Sequence, residues 1–416
     1  MRNAVITDGC RTAVGSMGGA LRPMYAYDLA CTILKGILDR TGLDPSKIDE
    51  VILGHVRQTS DDPNIARVAA LKVGIPEEVP AYTVMRQCAS GMTALQNGAM
   101  SIMCGQSDIV LAGGVESMSN AVFYVRNARW GLGNGNTEFV DALTEGQFRA
   151  QPPDIYGRYN MGATAEKVAL DEHVSREDQD AFSFESQRRA IAAIDNGRFK
   201  DEIVPVEIPQ GRGKPPLIFD TDEFPRRDVS MDKMANLKPC FNIKLDDKGL
   251  MFNTSELTGT VTAASSCGRN DGASAVLLMS EEKAKELGYK PMAKIIGMGA
   301  AGVDPQKMGL GPIPATRKAL KNSGISLDDI GLIELNEAFA AQALACIREL
   351  GLSNRMDIIN VNGGAIALGH PVGSSGCRIL VTLLHEMKKR KVKYGLAALC
   401  IAGGMGQATI IENCDI

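Results

Sequence analysis

The chain is poor in histidine, and its cysteines lack the spacing of common metal and redox motifs. Its 416 residues include four histidines and one tryptophan, and none of its ten cysteines stands in a Cys-x-x-Cys pair. The irregular cysteine spacing is typical of neither a disulfide framework nor a structural zinc site, so we expect no bound metal. A catalytic imidazole has few possible positions. These are His55, His173, His370 and His385.

Excess charge and long apolar runs are also missing, which excludes several classes of partner. The net charge of −4 and the pI near 5.8 indicate no basic surface for nucleic acid. No apolar run reaches the roughly 18 residues that a membrane helix needs. A strand-like run begins near Ala4 without a signal-peptide pattern, and the last residues match no targeting signal. We therefore expect a cytoplasmic protein with no membrane or nucleic-acid partner.

One thiol stands at a strand-to-helix junction, a position that favours nucleophilic chemistry. Residues 79–84 form an extended, β-branched run, and apolar residues then recur at helical spacing from Met92 to Met103. The junction places Cys88 at a helix N-terminus, where free N–H groups and the helix dipole favour a thiolate. Cys88 is therefore a candidate nucleophile, although most single cysteines are buried packing residues.

Two parts of the chain resemble each other at a constant offset. The segment Gly42 to Leu53 resembles the segment Gly324 to Leu335, and both ends are shifted by 282 residues. Each part continues with a turn of small residues before a helix, and then with an apolar strand that ends in a glycine pair. This order indicates an internal duplication and predicts a layered α/β fold. Equivalent strand ends would then meet at one crevice.

The sequence between the two halves has a different character. Residues from about 120 to 257 are rich in turn-forming residues and poor in regular strands. Helical patterns cover 163–170 and 176–196, and Ser175 begins the second like a capping box. We interpret this region as a lobe inserted over the site, with a solvated surface excursion as the alternative.

Three polar positions of the second half stand at the ends of strands or before helices. His370 lies in a glycine-flanked turn, which allows close approach of a substrate. Cys400 ends an apolar strand before a glycine turn, so we expect it to face a crevice whose free N–H groups stabilise an oxyanion. Asn336 either caps the following helix or orients a water or carbonyl. With Cys88, these are the groups of nucleophilic acyl transfer.

These residues belong to motifs that run over nearly the whole chain. The motifs are Asp8–Gly15, Ala112–Ser119, Gly259–Ala263, Asn270–Ala273, Asn336–Phe339, Gly369–Pro371 and Cys400–Gly404. Together they resemble the thiolase family of acetyl-CoA acetyltransferases and 3-ketoacyl-CoA thiolases. The resemblance implies a thiolase fold, with two duplicated α/β halves in a five-layer αβαβα arrangement and an inserted loop domain. It also implies a homodimer or homotetramer.

The resemblance implies boundaries for three domains. The N-terminal half would comprise 1–119 and 251–279, and the C-terminal half would comprise 280–416. The loop domain, 120–250, would bind coenzyme A. Coenzyme A would be a substrate and product, and no cofactor would stay permanently bound.

The resemblance further implies a role for each polar group. Cys88 would take the acyl group as a thioester, and His370 would activate it. Cys400 would move the α-proton of the substrate or protonate the leaving thiolate. Asn336, through a water, and His370 would form one oxyanion site. The backbone N–H groups of Cys88 and Ala402 would form the other.

Further positions match residues of the family that contact the acyl-CoA. They are Met161, Met308, Phe339, Arg226, Leu237, Phe241, Ala263 and Cys267. Core packing is the alternative for the methionines, and a solvated charge for Arg226. The chain departs from the family at Asn160, where biosynthetic relatives carry His, and at Cys267, where Ser is expected. Residues 242–257 also look longer than usual, and all three departures bear on which acyl-CoA fits.

The pattern leaves more than one activity open. The methionines and Phe339 suggest a compact pocket, which favours condensation of two acetyl-CoA to acetoacetyl-CoA or the reverse thiolysis. Arg86–Cys88 instead resembles longer-chain degradative members. A carrier-protein-dependent ketoacyl synthase generally has a second histidine where this chain has Asn336. The complete set of four polar groups argues against a non-catalytic acyl-CoA-binding protein, and Gly15–Gly19 lacks the spacing of a dinucleotide-binding dehydrogenase.

Overall fold

The computed structural model describes residues 2–211, 213–256 and 258–415. Its helices are α1 (Ala26–Thr41), α2 (Ile65–Lys72), α3 (Ser90–Met103), α4 (Ala142–Phe148), α5 (Pro153–Tyr156), α6 (Met161–Asp171), α7 (Arg176–Asp195), α8 (Met231–Ala235), α9 (Glu281–Glu286), α10 (Pro312–Ser323), α11 (Ala340–Glu349), α12 (Ala365–Leu368) and α13 (Val372–Arg390). Among the residues described, no helix combines the length and the apolar character needed to span a membrane.

The strands are mostly short outside the two halves. They are β1 (Ala4–Thr12), β2 (Gly15–Ser16), β3 (Glu50–Gly54), β4 (Ala81–Val84), β5 (Ile109–Ser117), β6 (Phe123–Tyr124), β7 (Val140–Asp141), β8 (Ile203–Val204), β9 (Val206–Ile208), β10 (Leu217–Phe219), β11 (Asn242–Leu245), β12 (Met251–Thr254), β13 (Asn270–Ser280), β14 (Ala293–Gly302), β15 (Leu332–Leu335), β16 (Tyr394–Ile401) and β17 (Met405–Asn413).

Within the described ranges, eleven of these strands form one continuous sheet. Its main path is β15-β16-β17-β14-β1-β13-β5-β3-β4, with β2 paired to β13 and β8 to β1. The pairings β3–β5, β5–β13 and β13–β1 are parallel, antiparallel and antiparallel, and the pairings β15–β16, β16–β17 and β17–β14 repeat them. A parallel bridge from Ile333 to Ile359 takes the place of β4 in the second half. The sheet topology therefore shows the duplication predicted from the sequence.

Helices cover both faces of each half of the sheet. Helices α1 and α2 pack on the outer face of the first half, where Ile33 and Leu53 share a core. Helices α10 and α11 pack on the outer face of the second half, where Ala319 joins another core. Helices α3 and α13 lie together between the halves, with Leu95 and Leu380 in one central core. This is the expected five-layer αβαβα arrangement.

The region between the halves contains more strands than its sequence indicates. It carries helices α4 to α8 and the ribbons β6–β7, β9–β10 and β11–β12, whose strands are two to four residues long. Strands of this length are too short to show an alternating pattern. The hairpin β11–β12 lies within the residues that look longer than usual. Buried Arg11 of β1 anchors the region through ion pairs with Glu202 and Asp222, at 2.6 and 2.7 Å.

The two central helices meet through backbone atoms. A Cβ on Gly91 of α3 would lie 2.9 Å from the carbonyl oxygen of Gly373 of α13, and a Cβ on Gly376 would lie 2.7 Å from the nitrogen of Met92. A Cβ on Gly114 of β5 would lie 2.1 Å from the same oxygen of Gly373. Because side chains at these positions would overlap backbone atoms, glycine is required there. The first turns of the two helices are thereby held in direct contact.

The substitution Gly114→Ala tests this contact. We expect it to lower the free energy of unfolding by about 1–3 kcal/mol, because overpacking forces the backbone to shift. Urea titration followed by circular dichroism measures the change. Gly302→Ala is the matched control, since the nearest atom would be 3.8 Å from its Cβ. Equal unfolding midpoints for the two variants would contradict the close helix contact.

Candidate functional site

One cleft, at the carboxyl ends of the parallel strands, collects most of the predicted site residues. Those that line it are Cys88, Met161, Phe241, Cys267, Met308, Phe339, His370 and Ala402. They come from the first half, the inserted region and the second half. Motifs that are far apart in the sequence therefore converge in space.

Cys88 is held in a tight turn between β4 and α3. The preceding residue, Gln87, has a left-handed φ of +45°, which is uncommon for a residue other than glycine. The hydroxyl of Ser90 accepts the N–H of Arg86 at 2.9 Å and donates to the carbonyl oxygen of Gln87 at 2.7 Å. Helix α3 begins at Ser90, two residues after the thiol. The strained turn thus presents a half-buried thiol to the cleft.

On balance, the surroundings of Cys88 favour its thiol over its thiolate. Burial raises its pKa above the ordinary value, and this outweighs the backbone N–H groups of Ala402 and Cys88 and the charge of Arg57, which lower it. Backbone N–H groups favour the thiolate, as expected, but desolvation of the sulfur is the larger effect. Attack by Cys88 requires a base that removes the thiol proton.

The imidazole of His370 has the properties of that base. Burial lowers its pKa to about 4, and the charge of Arg378 acts in the same direction. Its Nδ1 lies 2.6 Å from the hydroxyl of Ser375, which donates to the carbonyl oxygen of Pro371 at 2.9 Å. Because the Ser375 hydroxyl donates its proton to Pro371, it can only accept a hydrogen bond from the imidazole. Nδ1 therefore carries the ring proton, and Nε2 keeps a free lone pair. Nε2 has no hydrogen-bond partner among the described residues.

Asn336 is not among the residues that line the cleft, and it does not cap a helix. Helix α11 begins at Ala340, and Phe339 occupies its cap position. The side chain of Asn336 is buried, and neither its oxygen nor its nitrogen has a hydrogen-bond partner in the described part of the chain. A buried amide without partners is suited to hold an ordered water.

Cys400 is also not among the residues that line the cleft, and its expected exposure to a crevice is wrong. Strand β16 continues to Ile401, so Cys400 is still paired in the sheet, opposite Gly406, and it is fully buried. Burial raises the pKa of its thiol well above the ordinary value, and a thiolate at Cys88 raises it further, as does one at Cys267. The three sulfurs are therefore close enough to interact electrostatically.

Cys267 is placed in the cleft by a strand-like contact. Its N–H donates to the carbonyl oxygen of Ala338 at 3.0 Å, and Ser266 forms a bridge with Phe339. The ring of Phe339 meets that of Phe241 edge to face, with centroids 5.9 Å apart. Burial raises the pKa of the Cys267 thiol to about 12, so the group stays protonated at neutral pH.

The chain matches two family models end to end. The N-terminal domain of thiolase matches residues 4–282, and the C-terminal domain of thiolase matches residues 289–413. The chain belongs to the thiolase family. An acetyl-CoA acetyltransferase of Syntrophomonas wolfei is 48% identical over 413 residues, with 99% of both chains covered. One of Pseudomonas aeruginosa is also 48% identical, with 99% of this chain and 100% of the relative covered.

Two solved structures agree with this assignment. The crystal structure of the Bacillus anthracis acetyl-CoA acetyltransferase has a TM-score of 0.92 and 43% identity, with 99% of both chains covered. The crystal structure of human mitochondrial 3-ketoacyl-CoA thiolase has a TM-score of 0.90 and 39% identity, again with 99% of both chains covered. The thiolase fold predicted from the sequence is therefore confirmed.

In this thiolase, Asn160 lines the cleft as a helix cap. Its side-chain oxygen accepts the N–H of Ala163 at 3.0 Å, and its own N–H donates to Oδ1 of Asn253 in β12 at 3.0 Å. The hairpin β11–β12 thus holds the start of α6, which carries Met161. Asn160 and the segment 242–257, both expected to differ from the family, are thus in direct contact.

Three predicted acyl-CoA contacts lie outside the cleft. Arg226 is exposed, and its backbone N–H donates to the side chain of Gln187 at 2.9 Å. Leu237 and Ala263 are exposed as well. Their contacts with the nucleotide or the pantetheine arm stay predictions.

Sequence analysis missed the two charged side chains of the cleft, Arg57 and Arg269. Arg57 follows β3 much as Cys88 follows β4, so its place after a parallel strand was a usable signal. Ser375 was also missed, although it stands five residues after His370 in the first turns of α13. The described residues contain no group of three His, Cys, Asp or Glu side chains that could hold a metal ion.

A buried carboxylate links both halves of the thiolase beneath the cleft. Glu116 accepts the N–H groups of Val56 and Arg57 at 3.2 and 3.1 Å, and that of Gly373 at 3.0 Å. Nε2 of His55 lies 3.4 Å from the same carboxylate. Gly373 belongs to the first turn of α13, where a negative charge is favourable. One side chain thus fixes the loop after β3 and the helix that follows His370.

Alkylation of Cys88 by iodoacetamide tests its protonation state. We expect the rate at residue 88 to keep rising with pH beyond about 8.5, the ordinary thiol value, because burial raises the pKa of this thiol. Peptide mapping by mass spectrometry separates it from the exposed thiol of Cys104, which serves as the internal reference. A rate at residue 88 that is already constant at neutral pH would show a preformed thiolate.

Proposed function

We propose that this thiolase transfers acyl groups between coenzyme A thioesters through an acyl-enzyme at Cys88. Its reactions would be the condensation of two acetyl-CoA to acetoacetyl-CoA and the reverse thiolysis. The observation that carries the proposal is the cleft in which a protonated Cys88 and a neutral His370 lie together. The relatives named acetyl-CoA acetyltransferase support acetyl as the transferred unit.

Acylation would begin with transfer of the thiol proton of Cys88 to Nε2 of His370. The sulfur attacks the thioester carbonyl, and the N–H groups of Cys88 and Ala402 stabilise the oxyanion by about 3 kcal/mol each. Both N–H groups already act on the sulfur of Cys88, because they lower its pKa. Collapse expels the coenzyme A thiolate, which takes the proton of Cys400. His370 then holds a proton on Nε2, and Cys400 is a thiolate.

Carbon–carbon bond formation would use both the protonated His370 and the thiolate of Cys400. The thiolate of Cys400, whose raised pKa makes it a strong base, removes the α-proton of a second acetyl-CoA. A water held by Asn336 and the Nε2–H of His370 donate to the enolate oxygen. The enolate carbon attacks the acyl-thioester, and the departing thiolate of Cys88 recovers its proton from His370. All three groups then return to their starting protonation states.

The acyl-enzyme is tested with labelled acetyl-CoA. We expect the wild-type protein to carry the acetyl group on the peptide that contains residue 88, and Cys88→Ser to carry none, because the hydroxyl is a far weaker nucleophile. Mass spectrometry of digested protein locates the label. Cys104→Ser, at an exposed thiol, is the control and should keep the label. Unchanged labelling of Cys88→Ser, or no label in the wild type, would contradict the catalytic proposal in favour of another nucleophile or a non-catalytic acyl-CoA-binding protein.

We also propose the domain division 1–119 with 251–279, 120–250 and 280–416. In support, Met161 and Phe241 reach the cleft from the middle region. Coenzyme A would lie along this region, with Arg226, Leu237 and Ala263 beside its nucleotide or pantetheine arm.

The oligomeric state belongs to the same proposal. Large apolar side chains of the ribbon β6–β7 and its loop are exposed: Phe123 by 63%, Trp130 by 89% and Phe139 by 75%. An apolar patch of this kind indicates contact with another protein surface. We propose that it is covered by a second copy of the chain in a homodimer or homotetramer.

Analytical ultracentrifugation tests this association. The double substitution Phe123→Asp and Trp130→Ser should lower the assembly state, because it places charge and polarity where apolar surface is buried. The substitution Leu170→Asp, at another exposed apolar side chain, is the control. An unchanged sedimentation coefficient in the double variant would place the interface elsewhere.

A further inference from the structure

The cleft beside Cys88 carries positive charge that nothing lining it balances. Arg57 and Arg269 line the cleft, and no acidic side chain does so among the described residues. His370 adds no compensating negative charge in either protonation state. A substrate that enters this cleft therefore meets one or two uncompensated guanidinium groups.

Arg57 is held in place without a partner. Its side chain is half-buried, and its Nε is buried and has no hydrogen-bond partner in the described part of the chain. The guanidinium packs against Gly146, where an added Cβ would lie 2.2 Å from Nη1. Glycine at this position therefore leaves the space that the guanidinium occupies. A buried N–H donor without an acceptor is costly, and a bound anion would accept the free Nε–H.

The neighbouring carboxylate of Glu116 is already engaged. Its oxygens accept the backbone N–H groups of Val56, Arg57 and Gly373, and the imidazole of His55 lies against it. It therefore holds the backbone at Arg57 while the guanidinium extends to the cleft. No salt bridge joins Arg57 to a carboxylate of the described residues, although Asp61 and Asp62 line a neighbouring cavity with it. A carboxylate on the ligand would provide that partner.

The place of Arg57 identifies which part of an acyl-CoA it meets. Arg57 lines the same cleft as Cys88, and its charge lowers the pKa of that thiol. The phosphates of coenzyme A are separated from the thioester by the whole pantetheine arm, and they cannot reach this position while the carbonyl is at Cys88. The pantetheine arm carries only neutral amides and a hydroxyl, so an anionic group that meets Arg57 would belong to the acyl chain.

Arg269 is less suited to this role. It is exposed, and its charge also acts on Asp141. Although burial opposes it, hydrogen bonds from Thr144 and Leu143 and the charge of Arg269 lower the pKa of that carboxyl. Arg269 is thus partly balanced, and Arg57 is the stronger candidate for a direct contact.

We infer that the cleft also accepts acyl chains that end in a carboxylate, which Arg57 binds. These substrates would be 3-ketoacyl-CoA thioesters of dicarboxylic acids. Thiolysis would break the bond between the α-carbon and the keto carbon and release acetyl-CoA. The shortened acyl group, with its carboxylate on Arg57, would remain on Cys88 until coenzyme A removes it. The inference rests on the proposed thiolase activity and adds a substrate class to it.

The first test compares two substrates of equal chain length in the wild-type enzyme. These are 3-oxoadipyl-CoA, which ends in a carboxylate, and 3-oxohexanoyl-CoA, which ends in a methyl group. We expect kcat/KM for thiolysis to be about 30-fold higher for 3-oxoadipyl-CoA, the size of one charged hydrogen bond. Equal values, or a preference for the methyl-terminated substrate, would overturn the inference.

Variants of Arg57 test whether this side chain causes the preference for 3-oxoadipyl-CoA. Arg57→Leu should lower the ratio of the two kcat/KM values by about 30-fold, and Arg57→Lys should keep part of it, because the charge remains while the planar donor pair is lost. Arg317→Leu, at an exposed arginine paired with Glu349, is the control and should keep the wild-type ratio. A preference that survives in Arg57→Leu would remove Arg57 from the binding site.

A binding measurement on the wild-type enzyme does not depend on the variants. Succinyl-CoA should inhibit thiolysis more strongly than butyryl-CoA, since their acyl groups match in length and differ in the terminal carboxylate. Equal inhibition would count against the inference. Absence of thiolysis with both substrates, together with no acetyl group on Cys88, would instead refute the proposed thiolase activity.

Discussion

The arrangement of the site depends on one close contact, in which the first turns of α3 and α13 touch through backbone atoms. Glycines at 91 and 376 let the two helices approach this closely, and Gly114 of β5 lies against the same turns. The residues before the two helices are consequently brought to the same cleft. Because protein interiors are close-packed, a single methyl group there would displace a helix and the catalytic side chain that precedes it.

The duplication explains why these two helices carry the central pair of groups. Cys88 and His370 are separated by the same 282 residues that separate Gly42 from Gly324. Each stands two residues before its helix, at Ser90 in α3 and at Val372 in α13. Equivalent positions of the two halves have thus taken different roles. In the proposed mechanism, one supplies the sulfur nucleophile and the other supplies the base.

Sequence patterns were sufficient to predict the features that depend on residues close together in the chain. Glycine placement and helix periodicity predict the turns at Cys88 and His370. The thiolase motifs add Ala402 and Cys267 to the predicted site. The sequence did not indicate that Cys400 is buried or that desolvation dominates at Cys88, because both depend on what packs against them from distant segments. The position of Arg57 after a parallel strand was a local signal, but it did not show that the guanidinium lacks a partner among the described residues. Its importance lies in the missing acidic partner, which is a property of the assembled cleft.

The shared carboxylate of Glu116 limits how this enzyme can change its selectivity. It fixes the backbone of Arg57 and the first turn of the His370 helix together. Evolution or engineering can therefore exchange the side chain at position 57 while leaving the base aligned. Insertions or deletions in the same loop would disturb the base as well. New acyl preferences in this lineage should arise by point substitution rather than by loop remodelling.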